Sequence, residues 1–173
     1  MALKRFWPSC PMSNERVVVN ASPLICLFKS GFQDLLPALF QEISVPEAVL
    51  NEVTDSGKND FPAEHLAKQP WLKTEPKIPL DLRVAAWDLG RGESEVISFA
   101  LQNPSHRVVL DDREARRCAD TLGCKCIGTA GILVLARRRN LLPSLRDAFA
   151  KLGSSGIWLS RDLIEDLCRL EGE

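Results

Sequence analysis

The chain has 173 residues, of which 45% are hydrophobic, enough apolar sequence for one domain with a real core. A formal net charge of −1 excludes a global basic field that would draw the protein to nucleic acid, so any such contact has to come from local patches. The sequence reads without a secretory leader or an apolar run of membrane length, and its six cysteines are expected as free thiols in the cytoplasm.

Residues 1–15 are expected to form a mobile N-terminal extension, with Met12 a second candidate start, and residues 16–173 a single domain. The apolar run 17–19 suits the first, central strand of a parallel sheet. Ser22 is placed as the N-cap and Pro23 as the first residue of a helix that ends near Gly31. A second apolar helix is expected over 32–40, a second strand over 43–45, and a helix opening at Pro46 and ending by Gly57. Residues 55–79 are polar and proline-rich and read as a long excursion in which only 71–73 resembles a strand. Gly90 and Gly92 precede a strong helix whose buried stripe is Val96, Ile97, Ala100 and Leu101, with Glu95, Ser98 and Gln102 on its polar side. The run 108–110 is a buried strand stopped by Asp111 and Asp112. A helix then follows through Ala115, Cys118, Ala119 and Leu122, with Gly123 at its C-terminal cap. Next come a short strand around 124–126, a helix carrying Arg137, Arg138 and Arg139, a helix from about Ser144, a short strand over 157–159, and a closing helix begun by Ser160 or Asp162. Strands alternate with helices, which predicts an α/β fold with a central parallel sheet.

Five polar residues decide the chemistry. Glu52 borders the apolar face made by Ala48, Val49 and Val53, and Glu93 extends the stripe that holds Ile97. Asp112 stands at an N-cap position with Asp111 beside it, and Asn20 ends the first strand. Singly, each reads as a cap, a first-turn carboxylate or an edge residue reaching water. Together they lie at strand ends and helix starts that border one edge of the sheet, where open α/β sheets bind ligands. Clustered carboxylates repel and raise one another's pKa unless a cation neutralises them, and a cluster of hard oxygens suits Mg²⁺ or Mn²⁺. Cys124 and Cys126 lack two further ligands at finger-like spacing and are read as core residues.

The segments VVVNASPLICLFKSGFQDLLPALF, ISVPEAVLNEV, GRGESEVISFALQ and VVLDDREARRCADTLGCKCIGTAGILVLARR, in this order, resemble the PIN-domain superfamily. Within it they look like a prokaryotic PIN-like branch of largely unassigned function, related to VapC-type toxin ribonucleases. The resemblance implies a three-layer α/β/α fold and a metal-dependent endoribonuclease, the toxin of a type II toxin–antitoxin pair. Its acidic positions fall on Asn20, Glu52, Glu93 and Asp112, with Asp111 adjacent. Glu52, Glu93, Asp111 and Asp112 would hold the Mg²⁺ or Mn²⁺. Ser22 matches the small hydroxyl after the first position and Thr129 a polar residue near the last strand-to-helix turn; with Arg113, Arg116 and Arg117 they are candidate substrate contacts, Arg137 to Arg139 being further candidates. The expected partners are an RNA substrate, a small protein antitoxin and a second copy of the chain in a homodimer, with no membrane. Asn20 departs from the family pattern, which carries Asp, so the alternative is a PIN-like RNA- or partner-binding module with little catalysis. A phosphotransfer enzyme with an Asp nucleophile would need an acid after the first strand, where Asn20 stands.

Overall fold

Runs of β-branched residues that no face of a strand can leave in water build the middle of a parallel sheet. The computed structural model describes residues 14–56, 66, 68–155 and 159–173. Its strands are β1 (Arg16–Val19), β2 (Glu42–Pro46), β3 (Leu72–Glu75), β4 (His106–Val109) and β5 (Cys126–Ile127). They pair in the order β3-β2-β1-β4-β5, every pair parallel. The central positions Val17, Val18, Val19, Val108 and Val109 are completely buried, as a strand covered on both faces requires.

The helices among the described residues are α1 (Ala21–Lys29), α2 (Leu35–Leu39), α3 (Glu47–Ser56), α4 (Leu82–Ala85), α5 (Arg91–Gln102), α6 (Arg113–Thr121), α7 (Thr129–Arg138), α8 (Leu145–Gly153) and α9 (Arg161–Leu170). α5 packs beside α3 and α6 and against β1, β2 and β4, while α7 packs with α2 and α8, and α8 with α9. The result is the expected three-layer α/β/α arrangement. Among the described residues no helix is long and apolar enough to cross a membrane.

The structure moves several local expectations. Asn20, not Ser22, occupies the N-cap of α1, and Ser22 sits exposed in the first turn. Pro46 completes β2, paired with Glu75, instead of opening α3. Residues 32–34 form a turn before a short α2, following Gly31 at φ +67°. Glu95, placed on a polar face, is buried at 6% exposure, and Ser98 is fully buried. The reason is that α5 is covered on that side as well: the backbone N–H of Asp81, at the start of α4, donates to Ser98 Oγ at 3.0 Å. Ile157 and Trp158 of the expected last strand lie outside the described residues, and Leu159 leads without strand structure into Ser160, the N-cap of α9. Residues 1–13 of the expected extension also lie outside them. Glu15 accepts from Gln41 N–H through its backbone carbonyl at 2.9 Å and pairs with Arg107 at 3.2 Å.

Two carboxylates fasten the fold away from the carboxyl ends of the strands. Arg16 on β1 is in register with both Glu42 on β2 and His106 on β4, and Glu42 reaches across it to His106 Nε2 at 3.0 Å. The hydrogen bond from His106 holds Glu42 below the usual carboxylate range, with Lys73 adding to it. Glu173 accepts from Leu145 N–H at 2.8 Å and Arg146 N–H at 3.1 Å, capping α8, and pairs with Arg137 at 2.7 Å. Those bonds bring its carboxyl down to about 2.

Both folded-state pKa values lie below the unfolded ones, so each contribution is complete above the unfolded carboxylate pKa and is lost as pH falls through the folded value. Melting curves of the wild type are therefore expected to decline below about pH 4.5. Glu42→Gln and Glu173→Gln should each lower stability at pH 7 and shallow that acid decline. A decline of unchanged steepness in both variants would show that other carboxylates govern it.

Candidate active site

β1 and β4 are neighbours in the sheet, but the chain leaves them in opposite directions, toward β2 and toward β5. A crevice opens at the carboxyl ends of two such strands. Asn20 N–H donates to Val109 carbonyl at 3.2 Å, which holds the two strand ends together at the floor of that crevice. Although Asn20 stands at the N-cap of α1, its side chain makes no capping bond. Its Oδ1 is buried and has no hydrogen-bond partner. A buried acceptor left unpaired costs about 1–3 kcal/mol.

Glu52 arrives from α3 and Glu93 from the first turn of α5. A Cβ placed on Gly92 would lie 2.7 Å from Glu52 Oε2 and 3.1 Å from Asn20 Oδ1. The bare Cα of Gly92 is thus what lets these two oxygens approach the start of α5. Glu93 Oε2 accepts from Gly90 N–H at 3.3 Å. Its carboxyl is pushed above the ordinary range, first by burial, then by the negative charge of Asp112, with Glu52 adding to the effect and the Gly90 bond opposing it. Glu52, Glu93 and Asp112 therefore share one electrostatic neighbourhood although three different helices carry them.

Asp112 caps α6: its Oδ1 accepts from Glu114 N–H at 2.8 Å and Ala115 N–H at 2.9 Å. Asp111 has a different task. Its Oδ1 accepts from Thr129 N–H at 2.8 Å and its Oδ2 from the Thr129 hydroxyl at 2.6 Å. Those bonds join the end of β4 to the start of α7. Cys26, on α1, is raised to about 11 by burial and next by the charge of Asp111, while a hydrogen bond with Ser22 works against that rise.

The arginines divide. Arg116 Nη1 donates to Leu110 carbonyl at 3.1 Å and, with Asp111 Oδ1, closes around Gly128. Arg113 is exposed on the first turn of α6, and Arg117 is paired with Glu114 on the solvent side at 3.0 Å. Arg137, Arg138 and Arg139 stand at the far end of α7, about 12 Å along the helix from Thr129. They are held there by Glu173, Glu171 and Leu39 carbonyl respectively, so they do not belong to the crevice. Sequence reasoning missed Gly92 and Gly128, two residues whose lack of a side chain admits the polar groups around them. The run Gly90-Arg91-Gly92 at a helix start was the available signal for the first.

Among the described residues, no three His, Cys, Asp or Glu side chains stand in position to hold a metal ion. Glu93 is turned back onto Gly90 and Asp112 onto the first turn of α6. The donor set of the crevice is all oxygen, and the unpaired Asn20 carbonyl is an acceptor of the kind a hard cation satisfies. In donor chemistry the residues fit such an ion.

The family model described as a PIN domain (DUF3368) matches residues 16–173. No curated protein matches the chain. Among solved structures, a PilT N-terminus domain protein from the hyperthermophilic archaeon Sulfolobus solfataricus P2 is similar at 14% identity and a TM-score of 0.46, covering 84% of this chain and 98% of that one.

If the three carboxylates share a field, removing one changes the others. Carboxyl ¹³C titration is expected to place Glu93 above its ordinary range in the wild type and lower it in Glu52→Gln. A larger drop is expected in Asp112→Ser, because Asp112 contributes more than Glu52. A Glu93 titration unmoved by both variants would mean that the groups do not converge.

Proposed function

We propose that this chain, which belongs to the PIN-domain family, is a divalent-metal-dependent endoribonuclease that hydrolyses RNA phosphodiesters. The observation that supports the reading is that Glu52 Oε2 and the buried, unpartnered Asn20 Oδ1 both crowd Gly92 at the start of α5, beside Glu93. Independent helix caps do not require that three helices bring mutually repelling carboxylates to one crevice.

Glu52, Glu93 and Asp112 would hold one or two Mg²⁺ or Mn²⁺ ions, with the Asn20 carbonyl as a neutral further donor. A bound ion supplies Lewis-acid polarisation of the phosphate and neutralises charge on the leaving oxygen. Asp111, committed to Thr129 through both oxygens, sets the start of α7 against the crevice. Arg113, exposed beside Asp112 at the start of α6, would meet the RNA backbone, where cationic side chains contribute sequence-independent affinity. Ser22, exposed in the first turn of α1 two residues after Asn20, would offer a hydroxyl to the substrate. We extend the reading to the toxin of a cytoplasmic toxin–antitoxin pair, whose small protein antitoxin would cover the crevice, and to a homodimer.

One observation favours a second reading, a PIN-like module that binds RNA or a partner with little catalysis. Asn20 brings no charge to the crevice, and Glu93 and Asp112 already accept backbone N–H groups. Calorimetric titration with Mn²⁺, paired with cleavage of a fluorescent RNA, separates the two. The nuclease reading expects a divalent-ion site in the wild type and Mn²⁺-dependent cleavage that disappears in Glu93→Gln and Asp112→Ser. Serine keeps the cap of α6 while removing the charge. Asp112→Ala should in addition lose about 1 kcal/mol of stability with the cap. A wild type without a divalent-ion site would favour the binding module.

Asn20→Asp tests the departure itself. The added carboxylate should tighten Mn²⁺ roughly tenfold or more and raise cleavage. It should also lower the melting temperature of the metal-free protein, because a further negative charge joins a repelling cluster, and Mn²⁺ should restore it. Equal Mn²⁺ affinity in the two proteins would show that Asn20 does not limit the site.

A further inference from the structure

A cavity of about 380 Å³ lies between β5, the start of α7 and the face of α9 that carries Leu163 and Leu167. That volume is within the range of small-molecule sites. Its walls are apolar, built by Ile127, Ala130, Leu163 and Leu167, and its polar lining comes from Arg107, Arg116 and Asp111. Asp111 precedes Asp112 in the chain, so the cavity begins one residue from the carboxylate crevice.

Arg107 is the unusual member. It is buried on β4 at 8% exposure and gives Nη2 to Glu15 at 3.2 Å, while its Nε has no acceptor. A buried guanidinium N–H with no acceptor asks for one. Arg116 spends Nη1 on the Leu110 carbonyl, a neutral group. Asp111 receives two bonds from Thr129, and each carboxylate oxygen keeps a lone pair. The charges are balanced: Glu15 answers Arg107, and Asp111 stands beside Arg116 around Gly128. The space therefore calls for a neutral, flat group carrying both acceptors and donors, not for a second phosphate.

We propose that this cavity receives a nucleobase of the RNA, next to the phosphate held at the carboxylates, and that guanine is its preferred occupant. The proposal rests on the nuclease reading above. Guanine presents O6 and N7 to the arginine donors and N1–H and N2–H to a carboxylate, and single-stranded RNA leaves those edges free to be read. The apolar walls take the two faces of the ring. Cytosine, smaller and with a single amino donor, fills the space less well.

The experiment has two arms. In metal-free buffer the wild type is titrated with 5′-GMP and with 5′-CMP. With Mn²⁺ added, a randomised RNA pool is digested and its ends sequenced. GMP is expected to bind at least about tenfold more tightly than CMP, and cuts to cluster beside guanine. Leu163→Trp fills the cavity from α9 and should erase both preferences. Arg116→Met should erase the guanine preference too. If Arg116 merely contacted phosphate, the variant would weaken both nucleotides equally and leave their ratio intact, which overturns its place in the cavity. Equal binding of GMP and CMP by the wild type overturns the proposal, as does a preference unchanged in a folded Leu163→Trp. A wild type that discriminates between the nucleotides yet cuts no RNA would sink the nuclease reading and leave the base pocket standing.

Discussion

Pairing between β1 and β4 is the constraint on which the chemistry of this molecule depends. The bond from Asn20 N–H to the Val109 carbonyl is the last rung of that ladder. Just past it, one strand delivers an amide and the other two carboxylates. Side chains alternate between faces along a strand, so a slip of one residue would send Asn20, Asp111 and Asp112 to the wrong sides. The valines are buried on both faces alike, so the register is marked by the polar residues that bracket them, Arg16 opposite His106 at one end and Asn20 bonded to the Val109 carbonyl at the other.

The crevice is locally unfavourable and is held in place from elsewhere. Asn20 Oδ1 lacks a partner, Glu93 is raised by burial and by its acidic neighbours, and Gly92 gives up a side chain to admit the others. Violations of this kind gather at functional sites. At the opposite ends of the strands Glu42 is clipped to His106 across β1 and Arg107 is paired with Glu15, although that second pair leaves Arg107 Nε without an acceptor.

The strands, their parallel pairing and the order of the helices were legible because buried parallel strands are short apolar runs and amphipathic helices repeat at 3.6 residues. Asn20, Glu93 and Asp112 stood out because they fall where elements begin or end, and Glu52 because it borders the apolar face of its helix. What was not legible depends on contacts between distant segments. Glu95 looked solvent-facing by its helical phase, and only the return of the chain at Asp81 buries it. Ser22 looked like a cap, but the helix begins at Ala21, two residues before the Pro23 start that such a cap requires. The pairing of Asp111 with Thr129 spans eighteen residues and a strand, and the fixation of Arg137 and Arg138 by Glu173 and Glu171 spans more than thirty. Local pattern carries no trace of such pairs.

The thiols of this fold have a practical consequence. Cys26, Cys118 and Cys168 are buried in α1, α6 and α9, and burial raises all three, Cys26 and Cys118 to about 11. At neutral pH only about one in ten thousand molecules then carries a reactive thiolate at Cys26 or Cys118, since each unit of pKa is a factor of ten. Alkylating reagents must wait for the surrounding helices to open. Trapping rates at these three positions, followed by mass spectrometry, would read the opening of three separate parts of the molecule without any introduced label.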